Sequence, residues 1–171
     1  MRKIVCLLIL VAGCGSNLAE SPVGRPIQTA IPEGIYLGEI TTRTRTFING
    51  ELFEDTTTTE PYQEIVDENG LPLIQPQGET PVQGLVITFD DGIVSSRLRV
   101  QSVNASGNRV FIAYTGTMTF EGLDFSASGT WTYEFFPPNQ LDFIEQISLL
   151  SESVNGVILS MDISGTSVLT K

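Results

Sequence analysis

Histidine is absent from the 171 residues, which removes both the commonest general base of hydrolases and the commonest neutral metal ligand. Lysine occurs only at Lys3 and Lys171, and cysteine only at Cys6 and Cys14. A serine nucleophile would find no histidine or mid-chain lysine to activate it, and thiolate or imidazole metal centres cannot be assembled. Positive charge is scarce as well: 9 Lys and Arg stand against 20 Asp and Glu, for a net charge of −11. An acidic surface of this kind disfavours nucleic acid and anionic lipid. Enzyme chemistry is therefore not expected, and no cofactor is implied.

What is present begins with an address. Met1-Arg2-Lys3 is a short cationic start, and the apolar run from Ile4 to Ala12 is too short to span a bilayer. This pattern predicts a secretion signal over residues 1–13. Val11-Ala12-Gly13-Cys14 resembles the lipobox of bacterial lipoprotein signal peptides. The resemblance implies cleavage before Cys14, lipid on its thiol, and a membrane partner held through that lipid. Gly15 follows the cysteine where an aspartate would favour inner-membrane retention, so the expected place is the outer membrane of a bacterial envelope. Loss of Arg2 and Lys3 with the leader makes the mature chain two charges more negative. Residues 15–32 mix Pro, Gly, Ser and Ala without a strand or helix period. With the lipidated Cys14 they form a tether over 14–32, its flexible part reaching roughly 25 Å.

Residues 33–171 read as one all-β domain. Asn49-Gly50, Asn69-Gly70, Asp91-Gly92 and Asn155-Gly156 are two-residue hairpin signals, and looser turns fall at 104–108, 121–124 and 137–140. Between them lie about eight segments of alternating polarity: 34–48, 51–66, 83–90, 93–103, 109–120, 124–136, 140–152 and 157–169. Segment 67–82 is expected to be a loop, because Pro72, Pro76 and Pro81 cannot donate to a ladder. Two-residue turns would set Phe89 opposite Val94 and Arg45 opposite Glu54. The cleanest alternation puts Phe125, Ala127, Gly129, Trp131, Tyr133 and Phe135 on one face and Ser126, Ser128, Thr130 and Thr132 on the other. Gly116 and Gly129 fall on apolar faces, where a missing side chain permits a sharp bend or a close approach.

Long sequential strands with one wet face and no covering helix must close into a barrel or fold over as a sandwich, and short hairpins favour the eight-stranded up-and-down barrel. The strand count and connectivity resemble the calycin and lipocalin-like barrels. Gly34-Ile35-Tyr36 stands near the first strand's start, where lipocalins carry Gly-X-Trp, with tyrosine in the tryptophan's place.

Tyr114, Trp131 and Tyr133 make an aromatic face that suits a small apolar or amphipathic ligand; the other reading is an assembly lipoprotein whose barrel its own side chains fill, with an envelope protein as partner. Glu145 is ambiguous. Leu141, Phe143, Ile147 and Leu149 favour an inward face that carries Glu145 inside, where it would anchor a ligand. A two-residue turn at Asn155-Gly156 instead pairs Leu150 with Met161 and turns Glu145 outward, the expected position unless a one-residue bulge intervenes. The acidic turns at 67–70 and 90–92 lack the spacing of a calcium loop and read as hairpin tips. Asp162-Ile163-Ser164-Gly165-Thr166-Ser167 departs from the aspartic-protease loop by an inserted isoleucine and has no second copy.

Overall fold

The computed structural model describes residues 29–171 except 75, 76, 91, 93, 121 and 154. The expected signal peptide, Cys14 and most of the tether lie outside the described residues. Eight strands follow one another without a helix among the described residues: β1 (Gly34–Ile48), β2 (Glu51–Val66), β3 (Val86–Asp90), β4 (Val94–Ser106), β5 (Arg109–Phe120), β6 (Leu123–Phe136), β7 (Gln140–Ser151) and β8 (Leu159–Thr170). They form one antiparallel sheet in the order β2-β1-β8-β7-β6-β5-β4-β3.

Every neighbour in that order is a sequential hairpin except β1 and β8, which bring the two ends of the domain together, with Ile40 opposite Ser167 and Thr44 opposite Ile163. The sheet's edges are β2 and β3. The ladder is thus open between them, and hydrogen bonds do not complete the closure that the sequence pattern suggests. Along the inward positions of β2, Val66 and Glu64 are buried, Tyr62, Glu60 and Thr58 half-buried, and Thr56 and Glu54 exposed. The edge strand leaves the core as it nears its hairpin tip.

Alternation builds the core. Tyr36, Val100, Val110, Ile112, Tyr114, Leu141, Leu149 and Leu169 are each 1 % exposed or less, and all project from strands onto a common inward side. Segment 67–82 is a loop as expected, but a packed one. Leu73 N–H donates to Ile65 O at 2.7 Å, and Leu71 and Ile74 are buried against the end of β2. The Asp67 carboxylate pins this loop, accepting the N–H groups of Asn69 and Leu71 and the Thr80 hydroxyl, each at 2.9 Å. The last residues assigned to the tether also belong to the domain: Thr29 N–H donates to Asn69 O at 3.0 Å, Ala30 N–H to Gly107 O at 2.7 Å, and Ile31 is buried. Tyr36 completes this closed end, donating its hydroxyl to Pro32 O at 2.9 Å and meeting Phe135 edge-on.

Turn chemistry gave the strands better than their register. Asn49 and Asn155 adopt positive φ with Gly50 and Gly156 behind them, as two-residue turns require. Yet a bulge between Thr46 and Phe47 places Arg45 opposite Asp55 rather than Glu54. Arg43 then takes Asp55 in a two-bond pair at 2.9 and 2.5 Å, while Arg45 reaches Asp162 at 3.3 Å. Phe89 faces Ser96, not Val94; the shift of two residues preserves the faces. Asn69-Gly70 is part of the packed loop rather than a hairpin, with Gly70 N–H donating back to Asp67 O at 3.0 Å.

Candidate functional site

Three neighbouring strands bring the expected residues together. In the β6–β7 register Trp131 stands opposite Glu145, and in the β5–β6 register Tyr114 stands opposite Gly129. The Trp131 indole donates its Nε1–H to Glu145 Oε1 at 2.7 Å, and the Tyr114 ring lies 4.4 Å from the Trp131 ring at 38°. A Cβ on Gly129 would come within 2.5 Å of the Tyr114 hydroxyl oxygen and of Gln146 O, so Tyr114 lies over the glycine. At Gly116 the close approach is by backbone, since a Cβ there would meet Arg97 O and Leu98 Cα. Both glycines are occupied by neighbouring strands, not left open to a ligand.

Glu145 faces inward, which corrects the outward position favoured by the two-residue turn. Its partner across β7–β8 is Gly165, and Leu149 pairs with Met161 where the turn rule required Leu150. The offset lies outside the strands, in the longer connection 152–158, and β7 itself carries no bulge. The β1–β2 tip holds this connection: Asn49 N–H donates to Ile158 O and Ile158 N–H to Asn49 Oδ1, both at 2.9 Å. Such a tertiary clasp is invisible to a rule that reads each hairpin alone.

A second inward carboxylate, Glu64, was not anticipated, nor were Tyr62 and Phe143 as its surroundings. Glu64 is 2 % exposed. The Tyr62 hydroxyl donates to its Oε2 at 3.0 Å and the Ile65 N–H to its Oε1 at 3.2 Å, while the Tyr133 hydroxyl adds a further favourable contact. Phe143 stacks between Tyr62 and Tyr133, with centroid separations of 5.4 and 4.8 Å. The available signal was parity, because Tyr62, Glu64 and Val66 share one face of β2.

Burial pushes the Glu64 carboxyl up to about 8, against weaker opposition from Tyr62, Ile65 N–H and Tyr133. Burial raises Glu145 too, and the Trp131 hydrogen bond opposes it. The phenols of Tyr62, Tyr114 and Tyr133 are pushed upward first by burial; the field of Glu64 comes next at Tyr62 and Tyr133, with Glu145 adding less, and at Tyr114 the field is that of Glu145. Among the described residues no cation answers this field from inside. Every described Arg and Lys, namely Arg43, Arg45, Arg97, Arg99, Arg109 and Lys171, is exposed.

The two carboxylates are satisfied unequally. Both Glu64 oxygens are bonded, whereas Glu145 uses Oε1 alone and is only half-buried. Close by, the Tyr114 hydroxyl is buried without a hydrogen-bond partner among the described residues. A buried orphan of this kind forfeits about 1–3 kcal/mol unless something else meets it.

Other features do not join this group. Asp162–Ser167 is part of β8 rather than a loop. Among the described residues no three acidic, cysteine or histidine side chains are placed to hold a metal. A shallow groove of about 650 Å³ runs along Val103, Ala105, Arg109 and Phe111, and none of Tyr114, Trp131, Tyr133 or Glu145 lines it. Comparison of the chain with protein families, with curated proteins and with solved structures finds no match.

Proposed function

We propose that the chain is a lipid-anchored protein of the bacterial cell envelope, held at the outer membrane through Cys14, whose eight strands act as an incompletely closed up-and-down barrel of lipocalin-like type. On this reading the inward face binds a small apolar or amphipathic molecule and performs no covalent chemistry. One observation carries the binding reading: the Trp131–Glu145 hydrogen bond lies beside a Tyr114 hydroxyl that has no hydrogen-bond partner among the described residues. Polar groups held ready among aromatic rings are the usual means by which an apolar site orients its ligand. The sheet's open edge at β2, where burial fades from Val66 to Glu54, offers a way in.

Trp131 is the only tryptophan, so it reports on the site alone. The neutral apolar probe N-phenyl-1-naphthylamine should quench its emission saturably at low micromolar concentration. A probe that leaves the emission unchanged favours the second reading, an assembly lipoprotein with a filled interior, to which the Tyr62–Phe143–Tyr133 stack lends support. The anchor has its own test. Cys14→Ser should release the protein from the membrane fraction or leave an unprocessed precursor; mass spectrometry finding a mature N-terminus other than a lipidated Cys14 would overturn it.

A further inference from the structure

The binding reading leaves the ligand's charge open, and the distribution of charge in the domain narrows it. Described basic side chains are all exposed, and those with acidic partners, Arg43 with Asp55 and Arg45 with Asp162, meet them on the outer face. Glu145 is turned the other way. Its Oε1 is held by the Trp131 N–H, and among the described residues its Oε2 accepts no hydrogen bond. An inward carboxylate without a counter-charge is costly to keep ionised, and whatever supplies the missing charge is bound more tightly for it. The surrounding groups suit a cation in particular. The faces of Trp131 and Tyr114 carry negative quadrupole density, and the buried Tyr114 hydroxyl oxygen is free to accept from an N–H donor.

We propose that the Glu145, Trp131 and Tyr114 group takes a small organic ammonium ion with an apolar body, its charge set between the free Glu145 oxygen, the Tyr114 hydroxyl and the two rings. This rests on the binding reading above and adds the sign of the ligand's charge. Three terms select for it: ion pairing with the carboxylate, a hydrogen bond to the phenol, and cation–π attraction. A neutral ligand of the same shape loses the ion pair and the cation–π attraction, and an anion is repelled by Glu145. Glu64 does not itself take the charge, because Tyr62 and Ile65 N–H already occupy its oxygens.

The test is a charge series at fixed chain length, reading Trp131 emission of the purified protein at pH 7 in 0.15 M salt with octylammonium, octanol and octanoate below their aggregation limits. Octylammonium should saturate at a concentration at least ten-fold lower than octanol, with octanoate weakest. Glu145→Gln keeps the oxygen that Trp131 needs and removes the charge, so it should bring octylammonium down to the level of octanol. Tyr114→Phe, which deletes only the orphan hydroxyl, should weaken octylammonium several-fold and more than it weakens octanol, and it serves equally if Glu145→Gln does not fold. Octanol binding as tightly as octylammonium would overturn the charge assignment while leaving the apolar site standing. A saturable preference for octylammonium that survives both substitutions would also overturn it, since the cation would then be held elsewhere on an acidic surface. No saturable response to any of the three would overturn the site and the assignment together.

Discussion

Glu64 and Glu145 sit in contrasting regions of one sheet. Glu64 lies near the closed end, beneath the packed 67–82 loop, with both oxygens bonded and the Tyr62–Phe143–Tyr133 stack against it. Glu145 lies at the middle of β7, with one oxygen bonded, one free, and an unpartnered phenol among its neighbours. Both are raised by burial, so the same desolvation acts on each. What differs is the answer. At Glu64 the protein supplies donors to both oxygens, yet burial outweighs them and the acid is a structural member that holds its proton; at Glu145 it supplies a single donor, and the proposed ligand site rests on what that leaves unbonded.

The largest effect expected from this contrast is a dependence of stability on pH. Glu64 binds its proton more tightly folded, near 8, than unfolded, near the ordinary glutamate value of 4.5. Its contribution is therefore full below about pH 4.5, falls as pH rises, and is gone above about pH 8, a loss on the order of 5 kcal/mol. Glu64→Gln mimics the protonated acid and should remove that loss. Denaturation midpoints measured from pH 4 to 9 should fall steeply for the native sequence and much less for the variant, in which Glu145, also raised by burial, still contributes; parallel curves would show that Glu64 is not the sealed acid described here.

Next in size is Trp131→Ala, which deletes a 6 % exposed ring and strands the Glu145 oxygen it serves. Chemical denaturation should register a cost on the order of 3–5 kcal/mol. Gly129→Ala should cost less, about 1–3 kcal/mol, because the new methyl must displace the Tyr114 phenol and press on Gln146 O. A Gly129→Ala protein as stable as the native one would mean that Tyr114 does not lie over this glycine. At the other extreme, Arg43→Ala breaks the exposed pair with Asp55 and should leave the denaturation midpoint where it was, since solvent screens such pairs.

Much of this architecture was legible beforehand. Strands 34–48, 51–66 and 109–120 coincide with their expected bounds because alternating polarity and Asn-Gly turns leave little choice. Register was less legible, and for a physical reason. The hairpin rule assumes pairing right up to the turn, whereas Phe53 is taken up by a bulge and 152–158 by the clasp to Asn49. Since side-chain direction alternates, that one-residue offset decided whether Glu145 points to water or to the core. The site was half legible: Trp131, Tyr133 and Tyr114 stand out as aromatics on apolar faces, but Glu64 looks like one acid among twenty until the fold encloses it.

The inward Glu145 held by Trp131 is the centre of the account, and the single indole N–H makes it directly observable. In a proton–nitrogen NMR spectrum that one resonance should exchange slowly with solvent and shift with pH as Glu145 ionises, at a midpoint above that of an ordinary glutamate, and Glu145→Gln should abolish the shift. An indole N–H that exchanges at the rate of a free side chain, with a position indifferent to pH and to the substitution, would contradict it.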